Sequence, residues 1–387
     1  MPIFRKSPVR IQPYFGYRNT QRLVVSGRAL ASGKATFDKQ GRFQAMRTMI
    51  AQFASREVAG VAVELALKGP DGTRLRHAGT TDKEGYVRFD VALEGDWALP
   101  RHPEWETVLL HWTNENGAQC VDGHVLAPGS ATDLAVISDI DDTIIETGIT
   151  GFRQVLRNWQ RVLATLPDSR VAVPGADAFY GALGGQSVVP GEEHEAGEHE
   201  AAAHRPFFYV SSSPWNLFSY LVAFKKQRGL PLGPIFLRDW GLNRETFGSS
   251  SHGSHKTDAI RTILAAYPDM RFALIGDDTQ GDLPAFGDIV TNDPERIAAV
   301  FIRTTETSFS PEEEAAREAI AKAGVPLWLG SDYKTGEKFL ATAGLAGSGE
   351  ATQIVATVEG EEEGAKLWQA KGETTGTAAS GKGGESP

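Results

Sequence analysis

Leu134-Ala135-Val136-Ile137-Ser138-Asp139-Ile140-Asp141-Asp142-Thr143 is an apolar run that leads straight into three acids within four positions. The run reads as a buried strand. Crowded acids at its end are costly unless a cation neutralises them. Side chains alternate along a strand, so Asp139 and Asp141 project from the same strand end, which is where open α/β sheets bind ligands. An acidic loop that only caps a helix is the plainer alternative. A calcium loop would need an Asp-x-Asp-x-Asp-Gly pattern and a later bidentate Glu, and neither follows here.

Working outward from this stretch, strand-like runs at 207–210, 234–237, 272–275 and 300–302 alternate with helical patterns, as in a parallel sheet with crossover helices. Before it, from about 11 to 127, short runs at 23–26, 61–67, 86–91 and 107–112 alternate apolar with polar residues. They are separated by turn residues such as Asp71-Gly72. The expectation is an N-terminal all-β sandwich domain over 1–130 and an α/β Rossmann-like catalytic domain over 131–345. Residues 185–205, with five glutamates, three histidines and no apolar periodicity, read as a flexible insertion. His194, His199 and His204 in it read as linker residues. Residues 346–387 read as a disordered tail.

Hydrophobic residues make up 41% of the 387 and charged residues 23%, enough to bury a sizeable core. A single cysteine, Cys120, excludes an internal disulfide framework. The net charge of -10 argues against general nucleic-acid binding and against strong adsorption to anionic lipid. The first residues contain no apolar h-region, and no stretch reaches the length of a transmembrane helix. The location expected is cytoplasmic, with peripheral contact at a membrane.

Three further stretches carry candidate chemistry. Phe207-Phe208-Tyr209-Val210-Ser211 is a strand ending in Ser, after which Ser213 and Pro214 read as the N-cap and first residue of a helix. Free N–H groups there suit phosphate oxygens, although either serine alone reads as simple capping. Lys256 is placed in the first turn of a helix running to about Ala266, where it opposes the macrodipole and suits a bound anion. Phe272-Ala273-Leu274-Ile275-Gly276-Asp277-Asp278-Thr279-Gln280-Gly281-Asp282 is a second apolar strand delivering acids. The sequence leaves Asp277 and Asp278 unranked as metal ligands.

In this order, these stretches resemble the motifs of the haloacid dehalogenase superfamily, phosphatase branch. More closely, 139–151, 206–217, 233–241 and 272–282 resemble the catalytic domain of actin-patch-type phosphatidate phosphatases, whose chemistry is shared with the lipins. The resemblance implies a Mg2+-dependent phosphatidate phosphatase that leaves diacylglycerol and phosphate. Asp139 would be the nucleophile that forms a phospho-aspartate and Asp141 the acid/base, with Ser211 and Lys256 completing the catalytic set. Asp139, Asp141, Asp277, Asp278 and Asp282 supply the metal-binding candidates, and Asp282 would alternatively orient Lys256. Thr143, Ser213, Trp215 and Asn216 are the substrate-binding candidates.

Between Ser211 and Lys256 lie only a helix, a strand and a loop, too little for a cap domain. An uncapped site suits a large or membrane-embedded substrate, with Trp215, Phe218, Trp240 and Phe247 as candidates for its mouth. The expected partner is phosphatidate at a membrane surface, met transiently. The alternatives are a phosphatase of soluble or protein-bound phosphate, and an inactive lipid- or protein-binding adaptor.

Overall fold

A computed structural model describes residues 8–31, 56–69, 71–140, 143, 173, 175–184, 200–238, 252–305, 308–345 and 366–368. Asp141, Asp142, Trp240, Phe247, His194 and His199 lie outside the described residues.

The N-terminal part is β-rich: β1 Val9–Pro13, β2 Gly16–Arg18, β3 Arg22–Ala31, β4 Arg56–Glu57, β5 Ala62–Lys68, β6 Arg74–Thr80, β7 Tyr86–Ala92, β8 Glu104–Asn114 and β9 Gly117–Ala127. Alternation buries one face of each long strand, so that Leu23, Val25, Leu65, Phe89, Val108 and Leu110 share a core. Hydrogen bonds connect all of these strands into one branched sheet. The reason is strand length. β3 pairs with β1 and β4 near one end and with β2 near the other, while β7 runs along most of it. One long strand thus joins these pairings.

A second sheet follows, built from β10 Leu134–Ser138, β12 Phe207–Pro214, β13 Ile235–Arg238, β14 Arg271–Asp277, β15 Ile297–Arg303 and β16 Leu327–Gly330. These strands are parallel in the order β13-β12-β10-β14-β15-β16. β10 and β14 are almost wholly buried, as their continuous apolar runs require of a sheet covered on both faces. α1 Ala176–Gly184, α2 Phe218–Gln227 and α6 Tyr333–Thr342 cover one face. α3 His252–Ala266, α4 Asp282–Asn292 and α5 Pro311–Ala323 cover the other. α5 opens on a capping box in which Ser310 accepts from the Glu313 N–H and Glu313 accepts from the Ser310 N–H.

Two short strands depart from the compositional reading. β11, Glu200–Ala201, closes the stretch expected to be a flexible insertion, and it pairs antiparallel with Trp105 and Glu104 of β8. Ala202 and Ala203 behind it are buried, whereas His204 is exposed. β17, Lys366–Trp368, lies within the stretch expected to be a disordered tail and pairs antiparallel with β16. In both places backbone pairing, which composition does not report, fixes a few residues to a sheet.

Candidate active site

The direction of strand order reverses between β10 and β14, and the carboxyl ends of those neighbours carry Asp139 and Asp277. The Asp139 N–H donates to the Ile275 carbonyl at 2.8 Å, which extends the pairing one step beyond the strand and fixes the Asp139 backbone against β14. Asp139, Asp277 and Asp282 are buried, and each offers a carboxylate oxygen within 4.8 Å of the others.

Asp282 reaches this point because it is the first residue of α4, and the turn before it passes through Gly281 at φ 77°, a conformation that favours glycine. Gly276 makes the approach possible. A Cβ at that position would stand 2.6 Å from the Asp282 carboxylate. One Asp282 oxygen accepts the Asp277 N–H at 3.1 Å and the other accepts from Lys256 Nζ. Lys256 Nζ also lies 2.9 Å from Asp139 Oδ1, so a single buried ammonium joins two of the three carboxylates.

Burial alone would drive the Lys256 ammonium to a lower pKa, but Asp139, Asp282 and Asp277 outweigh it and hold the group above its ordinary value. Asp277 shows the opposite balance. Burial first and Asp282 second push it up to about 7, with Lys256 and the Thr279 hydrogen bonds pulling back. The Asp277 carboxylate accepts from the Thr279 N–H at 2.5 Å, from Thr279 Oγ1 at 2.6 Å and from Thr143 Oγ1 at 2.9 Å.

The structure therefore brings together Asp139, Thr143, Lys256, Asp277 and Asp282. Asp278 is a correction to the metal-ligand candidates. Its carboxylate accepts from the Thr305 N–H at 2.8 and 2.9 Å and from Thr305 Oγ1 at 2.7 Å, away from the acidic cluster. Adjacent residues at a strand end point opposite ways, so one of the two acids had to leave the site. Lys256 is the fifth residue of α3, which starts at His252, rather than a residue of its first turn.

Ser211 and Ser213 are buried at the end of β12, beside β10, where Ser211 Oγ accepts the Ser213 N–H at 3.0 Å. Ser213 lies within β12 and not at the start of an α-helix. β12 continues through Pro214, a 3-10 turn covers Trp215–Leu217, and α2 begins at Phe218 with no side-chain cap.

Trp215, Asn216 and Phe218, which follow the end of β12, contact the β-rich region. The Trp215 ring is 4.3 Å from that of Tyr14, Phe218 is 4.8 Å from Tyr14 and 5.4 Å from Phe15, and Asn216 Oδ1 accepts from Arg28 Nη1 at 3.0 Å. All three join the α/β region to the β-rich one.

Sequence reasoning overlooked two contributors. Thr279 sits two residues after Asp277 in an Asp-x-Thr turn, a pattern that was there to be read. Tyr180 gave no signal. From α1 its hydroxyl meets Ser138 Oγ at 2.6 Å, and Ser138 Oγ donates to the Asp139 carbonyl at 2.6 Å, all fully buried. Burial above all holds the Tyr180 phenol well above its ordinary pKa, so it stays protonated.

Among the described residues the cluster offers hard oxygen donors, a set that fits magnesium. Asp139, Asp277 and Asp282 are the described residues that could hold such an ion.

A buried acid cluster with a lysine, at the strand ends of a parallel sheet, gives an α/β protein with an acidic candidate site. Residues 134–304, which contain all of it, match the family described as phosphatidate phosphatase APP1, catalytic domain. Phosphatidate phosphatase APP1 of Saccharomyces cerevisiae is 32% identical over 177 residues, covering 46% of this chain and 27% of the yeast protein. An uncharacterized protein of Schizosaccharomyces pombe is 25% identical over 232 residues, covering 59% of this chain and 34% of that one. The chain thus spans about a quarter and a third of the length of these two curated relatives. A beta-glucuronidase structure from Parabacteroides merdae aligns at 9% identity and a TM-score of 0.23, over 76% of this chain and 33% of that one, too low to inform the fold.

Proposed function

We propose that the chain is a Mg2+-dependent phosphatidate phosphatase working through a phospho-aspartate, on a haloacid dehalogenase-type, Rossmann-like domain. The observation that carries this reading is the convergence of Asp139, Asp277 and Asp282 on Lys256, inside a segment of the phosphatidate phosphatase family. The strand order β13-β12-β10-β14-β15-β16 is that of doubly wound sheets, which bind ligands where the order reverses. We read the chain as a β-domain over 1–130, a catalytic domain over 131–345 and a tail over 346–387.

In this mechanism the Asp139 carboxylate attacks phosphorus in line and the bond from phosphorus to the lipid alkoxide breaks, leaving an aspartyl-phosphate. Asp141, assigned by its place two residues on, gives its proton to the departing alkoxide. It then takes one from the water that hydrolyses the acyl phosphate. Asp139 and Asp277 would hold a magnesium ion, which would supply the positive charge that lets an anionic nucleophile approach an anionic phosphate. Lys256 is held by Asp282 and Asp139 so that its remaining N–H can meet a phosphate oxygen, with Ser211 on the neighbouring strand end. Thr143 and Thr279 fix the Asp277 carboxylate, and the Ser138–Tyr180 pair fixes the Asp139 backbone.

Phosphate release from phosphatidate vesicles and from glycerol phosphate, each with magnesium and with chelator, tests the reading. Magnesium-dependent release that favours phosphatidate is expected. Preference for the soluble ester would leave the phosphatase and remove the lipid, and no release from either would favour an adaptor.

A further inference from the structure

Between the β-rich and α/β regions lies a cleft of about 300 Å³, the lower end of the range for ligand sites, in a position such sites favour. One wall is β2 and β3, the other is α3, and the floor is β13, the edge strand of the parallel sheet among the described residues. The cleft has two ends.

At one end Ser26 stands opposite Arg88 in the β3–β7 register, with His255 across from them and Trp215 alongside. The Ser26 carbonyl accepts the Tyr14 N–H, and the Tyr14 ring contacts Trp215. This end adjoins the site on three elements. His255 immediately precedes Lys256, Trp215 follows Ser213 by two residues, and Leu237 of the floor is in register with Ser211. At the other end Tyr17 stands opposite Val24 and packs 5.7 Å from Phe236, with Asp258 and Thr262 of α3 lining the facing wall. Along α3 the cleft runs from His255 to Thr262, about 10 Å at the rise of an α-helix.

A largely apolar slot with one end beside the acidic site matches an amphiphile whose phosphate is at that site. We infer that the cleft seats a hydrocarbon chain of the phosphate ester whose head meets Asp139, an inference that rests on the phosphatase reading above. The β-rich region then supplies half of the substrate-binding surface. A slot of this length holds the part of a chain next to the glycerol and leaves the remainder outside.

The test uses the full chain with monomeric dibutyryl and dioctanoyl phosphatidate and glycerol phosphate, comparing wild type with Thr262→Trp and Ser26→Trp, which fill the cleft from opposite walls. In wild type kcat/KM should climb from butyryl to octanoyl, because each buried methylene is worth several-fold. Either filling variant should cut the ratio of octanoyl phosphatidate to glycerol phosphate turnover by about tenfold or more. Two variants on separate elements guard against one failing to fold.

A binding readout separates this inference from the reading beneath it: quenching of Trp215 fluorescence by dodecyl phosphate brominated next to its phosphate, with Trp215→Phe as the reference. Quenching that Thr262→Trp removes supports the cleft even if no ester is hydrolysed, in which case the phosphatase reading alone fails. Hydrolysis of phosphatidate with no quenching at Trp215, or with a chain-length preference that both filling variants preserve, overturns the cleft and leaves the phosphatase standing.

Discussion

Lys256 Nζ sits 2.9 Å from Asp139 Oδ1 while it also pairs with Asp282, all three groups being buried. One cation therefore ties the end of β10 to the start of α4, and its removal should act on folding as well as chemistry. Lys256→Met leaves buried carboxylates without their counter-charge, for which losses of about 3–5 kcal/mol are typical. Urea unfolding without divalent cation should show a loss of that order, partly restored by magnesium. Unchanged stability would mean that the carboxylates are already neutralised by other means.

Asp139→Asn should abolish turnover while the fold persists, since the exchange relieves repulsion within the acid cluster but removes the nucleophile. Acid-quenched wild type given labelled substrate should carry covalent phosphate, and the variant none. Activity above a few per cent in the variant would place the nucleophile elsewhere.

The pH dependence of the metal-free protein follows from Asp277, whose pKa is pushed up to about 7 by burial and by Asp282. With the folded pKa above the unfolded one, the folded state keeps a proton that the unfolded state releases. Stability from this group is therefore fullest below about pH 4 and falls as pH rises toward about 7, by an amount on the order of a few kcal/mol. Asp277→Asn should flatten that fall in melting curves taken in chelator. Magnesium should stabilise wild type more at pH 8 than at pH 5, because the cation favours the ionised carboxylate.

Tyr180→Phe keeps the ring and removes the hydroxyl that meets Ser138. The loss should be about 1–3 kcal/mol, as for other buried hydrogen-bond partners. If the pair positions Asp139 through its carbonyl, kcat should fall several-fold with KM little changed. A melting shift with unaltered kcat would confine the pair to packing.

Trp215→Ala should lower the melting temperature, since its ring packs on Tyr14 at 4.3 Å and on Tyr86 at 6.1 Å. A cost of roughly 2 kcal/mol is expected for a half-buried tryptophan. The absence of any shift would mean that the two regions hold together through Phe15 and Phe218 instead.

The acids at the ends of β10 and β14 were legible because a buried apolar run that stops at crowded charge is costly unless a cation or ligand meets that charge. The ranking of Asp277 over Asp278 was not, because Thr305, which engages Asp278, lies 27 positions away and only the fold reveals the pairing. Ser213 and Pro214 carried a helix-start signal, yet the register shift between Ser211 and Pro214 keeps them in the strand. Trp215 was harder still. Its partner Tyr14 belongs to the other region, and a tryptophan after a strand end reads equally well as a site rim or as packing. Composition identified 185–205 and 346–387 as poor in apolar residues and had no access to the short backbone ladders at β11 and β17.

The pairing of Glu200–Ala201 with β8 bears on how the molecule can be divided. The chain leaves the first sheet at Ala127, begins the second with β10, and then returns to add a strand to the first before resuming at β12. The halves are therefore stitched rather than strung in series. A cut near residue 130 would strip β8 of a neighbour and strand the segment that had covered it. Recombination that exchanges the front half for an unrelated module would meet the same obstacle, so the two halves are constrained to be inherited as a pair.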